Sequence, residues 1–233
     1  LFIPPEILQK PGKLTDEEYE KMKTHTTIGY KMCMEDLKLR PYAAGPYYHH
    51  EALDGTGYPQ GLVKKDIPFE AQIIRVADEY DALVSKRQYK SHIGITDALK
   101  IIIENTQPSP NAPLNTGYTN AGKNNKKIVK KLLKVVIDDT EYEIACTMNY
   151  VKYLKQEIDR HKKISDLINK MNSSKKQIDI DFYKEYIPCL FKNNENFENF
   201  NKIHQEYLTA YDLKQQTVKD LFAEIDKIKK LKV

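Results

Sequence analysis

Apolar and polar positions in the first hundred residues follow the three-and-four spacing of amphipathic helices, and no stretch alternates convincingly with period two over six residues, so the sequence predicts an all-α fold. Pro11-Gly12 closes a short opening segment, and Thr15-x-x-Glu18 has the form of a capping box that starts a helix running to about Leu37. A second helix is expected from Pro46 through Tyr47 to Leu53, where the turn-forming Asp54-Gly55-Thr56-Gly57 stops it. A third covers about Phe69 to Ser85, and a fourth starts at Thr96 or Asp97 and ends before Pro108.

Residues 107–127, QPSPNAPLNTGYTNAGKNNKK, have no hydrophobic period and read as a linker or long loop. The sequence therefore divides into 1–106, a linker over 107–127, and a helical extension over 128–233. In the extension, apolar positions run from Ile144 through Leu154, His161 and Ile164 to Met171 with a mean spacing close to the 3.5 of a coiled-coil seam. The pattern breaks at Ser173-Ser174-Lys175-Lys176 and resumes from Ile203 through Tyr211 and Ile225 to Leu231, which predicts two long helices folded back as a hairpin. Packing or self-association into a homodimer is the expected role of that region.

Composition narrows the class. With Lys+Arg 37 against Asp+Glu 33, the net charge of +4 is too mild to imply a nucleic-acid polymer as partner. Cys33, Cys146 and Cys189 are odd in number and widely spaced, which argues against a disulfide framework or zinc ribbon and for a reducing, cytoplasmic setting. No run approaches the length of a membrane-spanning segment. The sequence begins at Leu1 without Met and is expected to be the remainder of a longer chain.

Candidate chemistry concentrates in the first hundred residues. His25 shares a helical stripe with Met22 and Gly29 and points inward, as a hydrogen-bonded core residue or as a metal ligand. His49 and His50 are adjacent; on a helix they diverge by about 100°, so they would serve two neighbouring ions rather than one. Asp78 falls on one stripe with Ala71, Ile74 and Ala82, an apolar face where a carboxylate needs a cation, hydrogen bonds or an ion pair with Arg75 or Lys90. Asp81, three residues on, is placed to orient a ligand. The loop Asp54-Gly55-Thr56-Gly57-Tyr58-Pro59-Gln60-Gly61 lets backbone amides approach a ligand, and Arg87-Gln88-Tyr89-Lys90 is either a solvated basic corner or a phosphate contact.

Taken together, IPPEILQKPGKLTDEEYEKMKTH, HHEALDGTGYPQGL and VADEYDALVSKRQYK resemble, in order and spacing, the core of the HD-GYP phosphodiesterases, over residues 1 to about 106. The resemblance implies a partial all-α HD-superfamily bundle and two or three divalent metal ions in an intact site, often iron or manganese. It implies hydrolysis of cyclic di-GMP to pGpG or GMP. It assigns His25, His49, His50 and Asp78 to metal ligands, Gly57, Tyr58 and Pro59 to the substrate loop, and Arg87 and Lys90 to the substrate phosphates. The family's His-Asp doublet would fall just upstream of Ile3-Pro4, with room further upstream for a sensor domain. Two alternatives keep the resemblance: a degenerate module that binds a cyclic dinucleotide or a partner protein without turnover, and the same metal chemistry on another phosphate ester. Residues 107–233 resemble no family.

Overall fold

Pro5 opens the short helix α1 (Pro5–Leu8), and Gly12, at φ +107°, adopts a backbone that only glycine takes without strain as the chain turns away from it. In the computed structural model Thr15 Oγ1 then accepts the Glu18 amide at 3.3 Å while Glu18 Oε2 accepts the Thr15 amide at 2.7 Å. This reciprocal cap starts α2 (Asp16–Glu35) where the motif places it. The structure describes residues 3–85, 93–108, 121–192 and 195–233. Among these the secondary structure is helical apart from an isolated antiparallel bridge between Asp54 and Val63.

The next helix, α3 (Ala44–Tyr48), is much shorter than its sequence suggests. Instead of continuing to Leu53, the chain turns after Tyr48 because the following segment is drawn inward: Glu51, Ala52, Leu53 and Asp54 are all at most 4% exposed. The Leu53 amide is taken by the carbonyl of Lys123, far along the chain, at 3.0 Å. Two glycines set how closely the helices approach. A Cβ on Gly29 of α2 would lie 3.0 Å from the Pro46 ring, and one on Gly45 would lie 2.8 Å from Ile74 Cδ1.

α4 (Phe69–Val84) neighbours α3 on one side and α5 (Ile95–Glu104) on the other, matching the two expected helices to within a residue or two. α6 (Lys126–Ser173) is a single helix of 48 residues. The chain forms two compact units, Leu1–Ile137 with Lys227–Val233, and Asp138–Asp226, so the first turns of α6 belong to the first unit. There Val76 of α4, Ile102 of α5 and Ile128 and Val129 of α6 form one buried cluster, and Leu99, Leu133, Val136 and Ile228 form a second. Burying such side chains supplies about 25 cal/mol per Å² of apolar surface.

The second unit contains the rest of α6, α7 (Gln177–Tyr186) and most of α8 (Phe200–Lys229), with α6 ending at the expected break. His161 of α6 stacks on Phe200 at 4.6 Å and meets the Tyr207 ring edge-on at 5.2 Å. Met148 and Val151, earlier on α6, share a groove with Gln215, Val218 and Lys219, later on α8. The two helices therefore run antiparallel, the expected hairpin, with α7 inserted at its turn.

Candidate metal centre

His25 projects from the second turn-pair of α2, and its Nδ1 lies 2.7 Å from the carbonyl oxygen of Met22. A carbonyl only accepts, so Nδ1 carries the proton and Nε2 presents its lone pair. His49, just beyond α3, repeats the arrangement: Nδ1 donates to the Pro46 carbonyl at 2.9 Å. The two Nε2 atoms face each other at 3.2 Å. With both Nδ1 positions occupied by protons, two lone pairs converge, and a shared proton or a metal cation is needed between them. Backbone carbonyls holding the outer nitrogen of each ring are the supporting contacts usual for metal-ligating histidines.

His50 completes the group: one ligand atom from each of His25, His49 and His50 lies within 4.8 Å of the others, all three residues being half-buried. This corrects the expected divergence of His49 and His50. Because α3 ends at Tyr48, His49 is its C-cap and His50 lies in the turn that follows, and their rings sit 4.1 Å apart instead of fanning out by a helical step. Burial, aided by the neighbouring His49, His25 and Arg75, pushes the His50 imidazole down to about 3. Burial and the charge of His25 likewise hold His49 below its ordinary value, so both rings are neutral near pH 7, the form that binds metal.

Asp78 stands differently from its sequence reading. It is exposed, as are Ile73, Ile74 and Ala77, while α4 buries Ala71, Gln72 and Val76. The apolar stripe used to place it is thus not the buried face, because the inward side of α4 includes polar Gln72 and half-buried Arg75 and Glu79. Asp78 is outside the histidine group, yet its charge still reaches His49 and Tyr58: it offsets part of the lowering at His49 and adds to the raising at Tyr58. Arg75 does not pair with it. The guanidinium donates instead to Asn124 Oδ1 at 3.0 Å and to the His50 carbonyl at 3.3 Å, and Asn124 in turn donates to Glu79 at 2.6 Å. Asp81, expected to orient a ligand, accepts from the Ser85 hydroxyl at 2.8 Å at the end of α4. Arg87 and Lys90 lie outside the described residues.

The glycine loop does sit on the triad. The Tyr58 ring stacks on His50 at 4.7 Å, and the Tyr58 amide donates to the His50 carbonyl at 3.2 Å. A Cβ on Gly57 would fall 2.2 Å from the Ala52 nitrogen, so only glycine permits this approach. Burial raises the Tyr58 phenol far above its ordinary value, so it stays protonated. Gly61, at φ +67°, turns the chain back towards the bridge at Val63. Sequence reasoning did not single out the anchor of this loop, Glu51, whose carboxylate accepts the Gln60 and Leu62 amides. The only signal for Glu51 was its place directly after the histidine pair.

A small all-α bundle with three convergent imidazoles and a glycine loop stacked on one of them defines a helical domain with a candidate metal site. The model of the HD domain family matches residues 1–108. The chain is 45% identical over 102 residues to a cyclic di-GMP phosphodiesterase of Thermotoga maritima, covering 43% of this chain and 28% of that protein. It is 48% identical over 92 residues to a cyclic di-GMP phosphodiesterase response regulator of Xanthomonas campestris, 39% of this chain and 24% of the relative. To a 3'3'-cGAMP-specific phosphodiesterase of Vibrio cholerae it is 37% identical over 99 residues, 42% and 22% of the two chains. The chain thus spans about a quarter of the length of these curated relatives. The likeness to the HD domain family is thus confined to residues 1–108, slightly under half of the chain.

Proposed function

We propose that residues 1–108 carry the metal-binding and substrate-loop portion of a metal-dependent phosphodiesterase that hydrolyses cyclic di-GMP to pGpG or GMP in bacterial second-messenger signalling. The observation that carries this reading is the 3.2 Å approach of two Nε2 atoms whose partner nitrogens both donate to backbone carbonyls. That donor set suits manganese or iron, with His25, His49 and His50 as ligands and Asp78 as the adjacent carboxylate. A bound ion supplies a water of lowered pKa and a Lewis acid for the phosphodiester. The chain's own residues hold the donors and place the loop: α2 and α3 aim the imidazoles, and Gly57, Tyr58 and Pro59 form a wall beside them. Arg87 and Lys90 are proposed to contact the substrate phosphates, on the strength of the motif alone.

The test is to load the protein anaerobically with Fe²⁺ or Mn²⁺ and follow cyclic di-GMP by chromatography. Conversion to pGpG or GMP that disappears in His25→Ala supports the reading; faster turnover of 3'3'-cGAMP moves the substrate assignment to that dinucleotide. A second reading, binding without turnover, is favoured by one observation: the group within 4.8 Å consists of three histidines and no described carboxylate. Tight cyclic di-GMP binding by the metal-loaded protein with no product selects it.

The helical hairpin is proposed as a self-association element of a cytoplasmic protein. Ile178, Phe182, Leu213 and Phe222 are large apolar side chains left 47% exposed or more, which supports that role. No helix among the described residues is long and apolar enough to cross a membrane. Sedimentation of the intact chain as a strict monomer would remove the self-association role. An upstream sensor domain belongs to the same proposal.

A further inference from the structure

The Glu51 side chain lies in the interior at 1% exposure with no lysine or arginine paired to it among the described residues. An ionised carboxylate in such a place is costly unless both oxygens are hydrogen-bonded. Both are. Oε1 accepts the backbone amide of Gln60 at 2.6 Å and Oε2 accepts that of Leu62 at 2.8 Å. These donors lie nine and eleven residues along the chain, on the far limb of the loop that carries Gly57, Tyr58 and Pro59.

The near limb is clamped to the backbone on either side of Glu51. Gly57 packs against Ala52, Glu51 and the His50 carbonyl, and the Tyr58 amide donates to that same carbonyl at 3.2 Å. One residue therefore presents its imidazole to the metal group, and the next residue holds the loop. Their covalent adjacency fixes the distance between the histidine group and the loop, and the Tyr58 ring, stacked on His50 at 4.7 Å, is where that spacing is realised.

We propose that Glu51 is a positioning residue for substrate, one that acts through the Tyr58 loop to set where a cyclic dinucleotide lies against the metal group while leaving the metal ligands untouched. This rests on the reading of the site as a metal-dependent cyclic-dinucleotide phosphodiesterase. Glutamine is the discriminating replacement. It keeps the shape of glutamate, but one of its two terminal atoms is a donor, so one loop amide faces an N–H instead of an oxygen.

The experiment uses the full chain loaded with Mn²⁺, with metal affinity read by calorimetry and dinucleotide affinity read with fluorescently labelled cyclic di-GMP. In Glu51→Gln, dinucleotide affinity is expected to fall about tenfold or more, the scale of a lost charge-assisted hydrogen bond, while Mn²⁺ affinity stays within about twofold. In a Tyr58→Ala background the same substitution should cost less than about twofold, because the element it acts through is gone. Equal losses in both backgrounds, a parallel loss of Mn²⁺ affinity, or wild-type dinucleotide affinity in Glu51→Gln each overturn the inference. Wild-type protein that takes up Mn²⁺ but no cyclic dinucleotide overturns the functional reading and this inference with it. Should Glu51→Gln not fold, Glu51→Asp, which keeps the charge and shortens the reach, is put through the same cycle with the same outcomes.

Discussion

His25 and His49 are held with their Nε2 atoms 3.2 Å apart, each ring fixed from behind by a carbonyl three residues earlier in its own segment. The arrangement couples two elements far apart in sequence, and it is unfavourable without a positive charge between the rings. Removing either ring relieves the conflict and destroys the site. His25→Ala is therefore expected to abolish stoichiometric Mn²⁺ uptake without unfolding the protein, measured by calorimetry alongside circular dichroism. Undiminished uptake would place the metal elsewhere.

Gly57→Ala tests the contact between the loop and the triad. The added methyl meets the Ala52 nitrogen at 2.2 Å and the His50 carbonyl at 2.5 Å, and both are backbone atoms with no rotamer to change. The loop must lift from His50. Overpacking of this kind costs about 1–3 kcal/mol, and the Tyr58 ring should lose its stacking on His50. Ring-current shifts of the Tyr58 resonances in NMR spectra report that loss directly.

Asp78→Asn separates charge from structure. The carboxylate is exposed and makes no hydrogen bond among the described residues, so stability should change by no more than about 0.5 kcal/mol, the usual range for surface substitutions. Metal affinity should nevertheless fall, because the anionic charge that reaches His49 is gone. Denaturant unfolding and Mn²⁺ calorimetry on the same sample check both halves.

The contrast between Asp78 and the histidines shows which parts of the site the sequence can reveal. Local signals were legible. The Thr15–Glu18 cap, the extents of α4 and α5, and the break at Ser173 follow from spacing and capping chemistry over a few residues. The inward face of α4 was not, because Arg75 and Glu79 are kept there by Asn124, a residue some 45 positions away, and helical periodicity carries no information about such partners. The convergence of His49 and His50 was hidden for the same reason. It depends on α3 stopping at Tyr48, and the stop is enforced by burial of residues 51–54 and by the Lys123 carbonyl rather than by any breaker in the sequence.

In the second unit, Glu195 makes stability depend on acid. Burial alone would raise its pKa, but hydrogen bonds from Arg160, the Lys192 amide and His161 outweigh this and hold it down to about 2, below its ordinary 4.5. A carboxylate depressed in the folded state stabilises fully above the unfolded value and loses that contribution as pH falls through the folded one. Hydrogen-exchange protection of residues 138–226 is expected to decline between pH 4.5 and about 2. In Glu195→Gln it should start lower at neutral pH and vary less across that window. An unchanged profile would show that the network contributes nothing.

Arg160 is the hub of that network. Its guanidinium bonds Glu157 at 2.9 Å, Glu195 at 2.5 Å and the Leu190 carbonyl at 2.9 Å, and the two carboxylate side chains are only 6% and 3% exposed. Removing the cation alone strands two buried anions, with Lys192 left to Glu157 and His161 to Glu195. Arg160→Met should therefore cost about 3–5 kcal/mol, the scale of breaking a buried ion pair from one side. Pairing it with Glu195→Leu removes one stranded charge and should recover part of the loss, so the double variant is expected to be more stable than the single. Because Arg160 belongs to the second unit and the histidines to the first, Mn²⁺ affinity should be the same in all three proteins. Hydrogen exchange resolved by peptide, read together with Mn²⁺ titration, tests both statements; a double variant less stable than Arg160→Met would mean that Glu195 is held by His161 and the Lys192 amide strongly enough to need no guanidinium.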